Sequence, residues 1–424
     1  MRMYNLFPLL AGHFGQWEAH LERAAAMRFD WVFVNPLQKT GASGSLYSIA
    51  DYFQLNPLLV DPKSKKTAEQ QLQALIQQAE KKYQIRFMTD LVLNHCAIDS
   101  PLLKQHPEWF VREHGQVQSP FCLEDGGHKV VWEDLAQLDH GRSHDNGLYA
   151  YFRKIIESYI DLGFKGFRCD AAYQLAPELW RQLITDTKQK HPDVVFTAET
   201  LGCSAERTKQ TAQAGFDYIF NSSKWWDFES PWLPEQYQLL RQAAPSISFP
   251  ESHDTPRLFA ESNGNAEVLK QRYLFSAVFS SGVMMPMGYE YGFSKPLHVV
   301  HTRPDDWENT EVDLTEFITQ VNTVKADYPI FQEEGPFNLI GYPQSPILFF
   351  WKASLSGQQE ALILLNKDPW QRHEFSTPDL YQYVQSRAPF ADLSPEYPLA
   401  YVPSPYHFDL LPGMVRVMVT TQAV

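Results

Sequence analysis

The sequence predicts an α/β protein: a (β/α)8 TIM barrel with a short inserted domain and a C-terminal antiparallel β-sandwich domain. Three observations predict it. About eight short apolar runs alternate with stretches of helical periodicity. Polar, chemistry-bearing residues stand at the ends of several of those runs, where (β/α)8 barrels carry reactive groups. After about residue 338 the alternation gives way to β-rich runs punctuated by Pro and Ser.

Length and composition agree with this. A chain of 424 residues is too long for one small core and suits a barrel with one or two smaller pieces. Hydrophobic residues make up 44% and charged residues 20%, which excludes a disordered chain. A net charge of −14 argues against a nucleic-acid backbone or an anionic membrane as partner. A neutral substrate fits better; aromatic residues, at 14%, belong mostly to the core, although rings in excess can line a sugar site. No run matches a signal peptide or a membrane span, so the cytoplasm is the expected location. Cys96, Cys122, Cys169 and Cys203 lack metal-ligand spacing and are expected as free thiols, although Cys96 and Cys122 fall in one insert and could pair.

The elements follow in order. Leu6 to Leu10 reads as a strand, Trp17 to Met27 as a helix, and Trp31 to Val34 as a buried strand ending at Asn35-Pro36. A Gly/Ser-rich loop spans Gly41 to Ser45. Thr67 with Gln70 forms a capping box, and Leu72, Leu75, Ile76 and Ala79 make one helical face. Ile85 to Leu93 is the third strand. The irregular stretch from Cys96 to about Asp139 is long enough to be a functional loop or small subdomain. A helix over Tyr149–Leu162 leads into the strand Phe164–Cys169. Pro177 to Gln189 is a helix opened by its proline. Short strands follow at Val194–Ala198, Phe216–Phe220 and Ser246–Phe249, then a helix over Leu269–Phe279 and a last strand at Val283–Met287. The expected divisions are residues 1–95 and 140–337 for the barrel, 96–139 for the insert and 338–424 for the β domain. In that last part Ile347–Trp351, Ala361–Leu365 and Val415–Val419 read as strands.

The chemistry centres on Arg168 and Asp170, which strand alternation puts on one face. A neighbouring guanidinium favours the ionised carboxylate. Taken alone, an Arg-x-Asp is more often a plain strand-end salt bridge, and an Asp after a strand is often a helix N-cap. Here Glu199 ends the next strand and Asp254 follows the seventh. Adjacent strands stand ~4.8 Å apart. That suits the ~5–5.5 Å between the two carboxyl groups of a retaining glycosidase. Asp170 suits the nucleophile. Glu199 follows Thr197-Ala198, in apolar surroundings that keep a carboxyl protonated. Asp254 is placed to stabilise the transition state or grip hydroxyls, and His95 and His253 can donate hydrogen bonds to a sugar.

These residues resemble the four motifs of the α-amylase family of glycoside hydrolases. The matching segments are Asp90-Leu91-Val92-Leu93-Asn94-His95, Gly166 to Ala171, Ala198-Glu199, and Ser252-His253-Asp254, in the family's order and spacing. Tyr47 with Asp51-Tyr52 resembles a further motif in which the Tyr stacks under the sugar being cleaved. Trp132-Glu133-Asp134-Leu135 resembles the tail of the family's domain B. The resemblance implies a retaining mechanism on α-glucosidic bonds, with Asp170 as nucleophile, Glu199 as general acid/base and Asp254 as transition-state stabiliser. It places Tyr47, Asp90, His95, Arg168 and His253 around the sugar at the point of cleavage. It implies an α-glucan or maltooligosaccharide substrate, no nucleic acid or membrane partner, and no required cofactor. The family's structural calcium would fall at Asn94, but Tyr173 and Gln174 stand where many members carry Lys-His.

Other stretches resemble maltosyltransferases that use maltose 1-phosphate: Gln105 to Phe110, Val321 to Lys325, and Leu364 to Pro369. Those enzymes usually lack the Asn-His and His-Asp pairs found here, which favours an amylase-like hydrolase or transglycosylase. The alternatives are a maltosyl phosphate-dependent transferase, with a phosphate pocket near the Glu251–Arg257 loop or the Lys295–Arg303 loop, where Lys295, His298, His301 and Arg303 could form one or simply be a solvated loop, and an inactive glucan-binding protein.

Overall fold

The computed structural model describes residues 1–123 and 129–422. Eight parallel strands close into a barrel, each hydrogen-bonded to its neighbours in chain order. They are β1 (Arg2–Leu6), β2 (Trp31–Val34), β3 (Arg86–Leu91), β4 (Gly166–Cys169), β5 (Val195–Ala198), β6 (Tyr218–Phe220), β7 (Ser246–Ser248) and β8 (Gly282–Pro286). A helix follows each strand: α1 (Glu18–Ala26), α2 (Ala68–Gln78), α3 (Leu148–Leu162), α4 (Pro177–Lys190), α5 (Ala205–Ala212), α6 (Trp232–Leu240), α7 (Ala266–Phe279) and α8 (Thr315–Asp327).

The strands read as unbroken apolar runs because both of their faces are buried. Inward residues Met3, Trp31, Phe33, Met88, Phe220, Ile247, Phe249 and Met284 fill the barrel. The outward ones pack against the helices. Gly166 is needed in β4, since a Cβ there would stand 2.8 Å from the Met88 side chain and 3.0 Å from Trp31. The capping box of α2 is present, with Gln70 N donating to Thr67 Oγ1 at 3.3 Å and Thr67 N to Gln70 Oε1 at 3.1 Å. Pro177 opens α4 as expected.

The first strand lies earlier than the apolar run Leu6–Leu10 suggests. It is Arg2–Leu6, and Pro8–Ala11 forms a helical turn. Pro8 fixes a helical φ and has no N–H for a strand ladder, so it starts the turn and closes the strand.

Between β2 and α2 the chain makes a hairpin, Gln38–Thr40 with Ile49–Leu55, which carries Tyr47 in its loop. Between β3 and α3 lies the insert. Its neck is closed by an antiparallel ladder in which Gln137 faces His95 and Leu135 faces Ala97. Cys96, Cys169 and Cys203 are free thiols, and the side chain of Cys122 lies outside the described residues.

The C-terminal part is an antiparallel sheet over a smaller layer. The sheet contains β9 (Phe337–Ile340), β10 (Ile347–Ala353), β11 (Gln359–Asn366), β13 (Ala391–Asp392) and β15 (Val415–Thr421), in the order β9-β10-β11-β15-β13. A two-stranded ladder of β12 (His373–Thr377) and β14 (Tyr406–Leu410) forms the second layer. Alternation decides which side each residue faces. Ile347, Phe349, Leu362 and Leu364 meet the small layer. Leu348, Phe350, Ile363 and Leu365 join the core shared with the barrel. The buried Lys352 ties this sheet to the end of α7 through the carbonyls of Val278 and Phe279.

Candidate active site

Strand register builds the centre of the site. Arg168 on β4 lies directly beside Asp90 on β3 and Thr197 on β5. The guanidinium therefore meets Asp90 Oδ1 at 2.5 Å with both side chains almost wholly buried. Arg168 reaches Asp170 Oδ1 at 3.4 Å, so the two residues share a face, as alternation requires. The rings of Phe33 and Phe220 lie beneath the guanidinium at 5.6 and 5.9 Å.

Tyr47 closes the other side of Asp90. Its hydroxyl donates to Asp90 Oδ2 at 2.9 Å, accepts from Asn35 Nδ2 at 3.0 Å and meets His253 Nε2 at 2.7 Å. With its proton given to Asp90, the hydroxyl accepts from His253, so Nε2 carries that ring's hydrogen. The Tyr47 and His253 rings stack at 5.6 Å and 7°. His253 Nε2 also stands 3.1 Å from Asp254 Oδ2. Asp254 is the open member of the group, with its side chain 58% exposed. His95 Nε2 bonds the Tyr47 carbonyl at 3.1 Å. Burial pushes both His95 and His253 down to about 4, so both rings are neutral near pH 7. Each has a buried Nδ1 without a protein partner.

Glu199 follows β5 and is fixed by the backbone around Asp170. Ala171 N donates to Glu199 Oε2 at 2.8 Å, and Leu201 N to Oε1 at 2.8 Å. Ala171 itself adopts a left-handed φ of 40°. Such a conformation costs an L-residue about 1–2 kcal/mol. Its presence directly after Asp170 fits strain held at a functional turn.

Burial raises both carboxyl groups on these neighbouring strands. Burial pushes Asp170 up to about 6, Arg168 draws it down, and Asp254 pushes it up again. Burial pushes Glu199 up to about 7, opposed by Arg168 and by the two backbone N–H groups and reinforced by Asp170. The raised Glu199 matches the expectation from its apolar surroundings. The expectation for Asp170 needs correcting. Arg168 does favour its ionised form, but burial is the larger effect and the short guanidinium bond goes to Asp90. Burial also lifts Asp90 to about 7, against Arg168 and the Tyr47 hydroxyl, which hold it down.

All eight residues singled out in the sequence fall at the carboxyl-terminal mouth of the barrel, and seven of them form one bonded or stacked group. Two amides join them that the sequence reading passed over. Asn5 on β1 donates to Asn35 Oδ1 at 3.0 Å and to the Phe33 carbonyl at 3.2 Å. Asn35 in turn holds the Tyr47 hydroxyl. The only signal was a buried amide at the end of an apolar strand.

Asn94 donates through Nδ2 to Gln174 Oε1 at 3.1 Å. Its Oδ1 is buried with no partner. Among the described residues, no three carboxylate, His or Cys side chains gather around it. Calcium takes six to eight oxygens. The free Asn94 oxygen offers one of them.

Comparisons with known proteins bear on the fold and the family resemblance. Residues 2–121 match the family model of the glycogen debranching enzyme glucanotransferase domain. The maltose-1-phosphate maltosyltransferase of Burkholderia pseudomallei is 25% identical over 375 residues, covering 85% of this chain and 32% of that protein. The corresponding enzyme of Myxococcus xanthus is 23% identical, covering 66% of this chain and 43% of that protein. The chain therefore spans less than half the length of these two relatives. Among solved structures, the α-amylase of Geobacillus thermoleovorans superposes with a TM-score of 0.79 at 14% identity, covering 99% of this chain and 98% of that one. The α-amylase of Lactobacillus plantarum gives 0.76 at 19% identity, covering 99% and 98%. The chain thus has the α-amylase fold and resembles the α-amylase family of glycoside hydrolases in its motifs, with sequence similarity to the maltose-1-phosphate maltosyltransferases.

Proposed function

We propose that this protein is a retaining enzyme on α-glucans. It would hydrolyse or transfer α-1,4-linked maltooligosaccharides, or segments of glycogen or starch, through a covalent glycosyl-enzyme intermediate. The observation that carries this is the pair Asp170 and Glu199. They follow adjacent strands beside one guanidinium. The first step needs Asp170 as an anion and Glu199 holding a proton.

In that step a carboxylate oxygen of Asp170 bonds to the anomeric carbon. The bond from that carbon to the glycosidic oxygen breaks, and the oxygen takes the proton of Glu199. Asp254 and Arg168 face the charge that moves between sugar and enzyme. In the second step Glu199, now a carboxylate, removes a proton from water or from a sugar hydroxyl. That oxygen attacks the anomeric carbon and releases Asp170. Water as attacker gives hydrolysis and a sugar hydroxyl gives transfer. Tyr47, Asp90, His95 and His253 would hold the sugar during both steps.

Sequence similarity to the maltosyltransferases favours a second reading, in which maltosyl phosphate is the donor. One of the two loops that could bind the phosphate, Lys295–Arg303, has its basic groups partly engaged. Lys295 pairs with Asp306 at 3.6 Å. Arg303 donates to the carbonyls of Val300 and Thr302 at 2.8 and 2.7 Å. His298 Nδ1 accepts from the backbone of Val300 and His301. Arg303 is partly tied to its own loop, while Lys295 keeps only a long, exposed pair, so this loop does not decide between the two donors.

Product analysis with maltoheptaose, with and without phosphate, tests the assignment. Shorter sugars with rising reducing ends are expected from a hydrolase. Longer and shorter sugars without that rise are expected from a transglycosylase. Both should vanish in Asp170→Asn and Glu199→Gln. Maltosyl phosphate formed only when phosphate is present would establish the second reading instead.

A further inference from the structure

The long connection between β8 and α8 carries an arm, residues 294–306, at the mouth of the barrel. The arm is braced by its own bonds. Ser294 N and Lys295 N donate to Glu308 Oε1 at 2.9 and 2.7 Å. His298 N donates to Thr302 Oγ1 at 2.7 Å, and Arg303 N to Asp306 Oδ2 at 2.9 Å. Neighbouring loops hold it as well. On the β7 side, Arg257 Nε donates to the Lys295 carbonyl at 3.1 Å. On the β1 side, Pro304 lies so near Gly12 that a Cβ there would stand 3.1 Å from its ring. On the β2 side, Leu46 N donates to the Val299 carbonyl at 3.1 Å. Val300 also packs on that loop, where a Cβ at Gly44 would meet it at 3.5 Å.

In the closed barrel β1 lies between β8 and β2. An arm that leaves β8 and bonds the loop after β2 therefore spans the end of β1 and closes the rim from β7 to β2. The closure comes within one residue of the site's centre, since Leu46 directly precedes Tyr47, whose ring stacks on His253.

This rim faces the reacting carboxyl groups. Asp170 and Glu199 follow β4 and β5, and the strands across the barrel from those two are β8 and β1. In a pyranose ring C1 and C4 stand opposite each other. A glucosyl unit whose C1 meets Asp170 and Glu199 turns its C4 away from β4 and β5, toward the arm. In an α-1,4-glucan the chain on the non-reducing side is attached at O4. A long chain there would have to leave through the rim that the arm closes.

Resting on the α-glucan assignment above, we propose that the arm makes the site a pocket closed on the non-reducing side, so that the enzyme acts only from the free non-reducing end of an α-1,4-glucan. It removes or transfers a short unit of fixed length, set by the room between the reacting carboxyl groups and the arm. The bonds that form and break are those of the two steps above. A main-chain bond makes the closing contact between Leu46 and Val299, and the bracing of the arm keeps that contact in place when the pocket is empty.

Three substrates test this: maltoheptaose, maltoheptaose with its non-reducing O4 and O6 joined in a benzylidene acetal, and a cyclodextrin, which has no end. In wild type, maltoheptaose labelled at its reducing end should lose one unit of constant length in its first turnovers. The kcat/KM on the capped and cyclic substrates should be lower by about 100-fold or more. Deleting Val299 and Val300 withdraws the arm from Leu46 and should bring the capped substrate to within about tenfold of maltoheptaose. Capped and cyclic substrates turned over by wild type within about tenfold of maltoheptaose, with labelled products of mixed length from the start, would overturn the closed pocket and leave the α-glucan assignment standing. A deletion variant that keeps the wild-type melting curve and the wild-type preference would overturn the role of the arm. A wild-type protein inactive on all three substrates would overturn the pocket and the α-glucan assignment together.

Discussion

Arg168 and Asp90 lie side by side on neighbouring strands and meet at 2.5 Å, with side chains 5% and 0% exposed. This ion pair, rather than the bond from Arg168 to Asp170, is the tightest charge contact in the site. Removing one partner from a buried pair costs up to about 3–5 kcal/mol, with less expected here because Arg168 keeps Asp170 at 3.4 Å. Asp90→Asn should therefore lower the stability by up to that amount. Denaturant unfolding followed by tryptophan fluorescence measures it. A loss below about 1 kcal/mol, the range of an exposed pair, would show that water reaches Arg168.

The pH profile follows from the two carboxyl groups. The proposed chemistry needs Asp170 ionised and Glu199 protonated. Asp170 loses its proton near about 6, so kcat/KM falls as pH drops through that value. Glu199 loses its proton near about 7, so kcat/KM falls again as pH rises through that value. A narrow bell with its top between the two is expected, its limbs being apparent values for a coupled pair. Glu199→Gln cannot lose that proton. With maltosyl fluoride, which needs little acid assistance, this variant should keep the acid limb and lose the alkaline one. An alkaline limb retained in Glu199→Gln would assign it to another group.

The strand-end carboxylates and histidines were legible in the sequence because their types and spacing fall at the ends of apolar runs. The buried centre was less so. Asn5 and Asn35 are ordinary amides at strand positions, and only the closing of β1 onto β2 brings them into a chain that ends on the Tyr47 hydroxyl. The preference of Arg168 for Asp90 depends on the register of β3 against β4, which local alternation does not reveal. At the fold level, the apolar run Leu6–Leu10 hid a helical turn started by Pro8. The helices Ala205–Ala212 and Trp232–Leu240 are too short for periodicity alone to mark them.

Tyr47 should act mainly through its hydroxyl, which joins Asp90, His253 and Asn35. A hydrogen bond to a charged group contributes about 1.5–3 kcal/mol. At 1.4 kcal/mol per tenfold, Tyr47→Phe should reduce kcat/KM about 10–100-fold while leaving the circular dichroism spectrum intact. Asn35→Ala should cost less, since it acts through Tyr47. The two substitutions share a contact, so their effects should be non-additive, with Asn35→Ala nearly silent in a Tyr47→Phe background. Additive losses would mean that Asn35 serves a separate function.

We further propose that the Asn94–Gln174 bond supports the base of the insert without calcium. Asn94 follows β3, and the neighbouring Leu93 carbonyl accepts from His140 Nε2 at 2.9 Å. Leu138 N bonds the Asn94 carbonyl at 3.1 Å. The two ends of the insert are thus tied together by protein groups, while Gln174 holds the Asn94 side chain from the turn after Asp170. A bound ion would stabilise the folded form in proportion to its occupancy, so its removal would lower the melting temperature. Here chelation with EDTA should leave the melting curve unchanged, and added calcium should not raise it. Gln174→Ala leaves Asn94 without its partner and should cost about 1–3 kcal/mol. A calcium-dependent melting temperature would mean that the free Asn94 oxygen recruits an ion with backbone carbonyls, and Gln174 would then be a bystander.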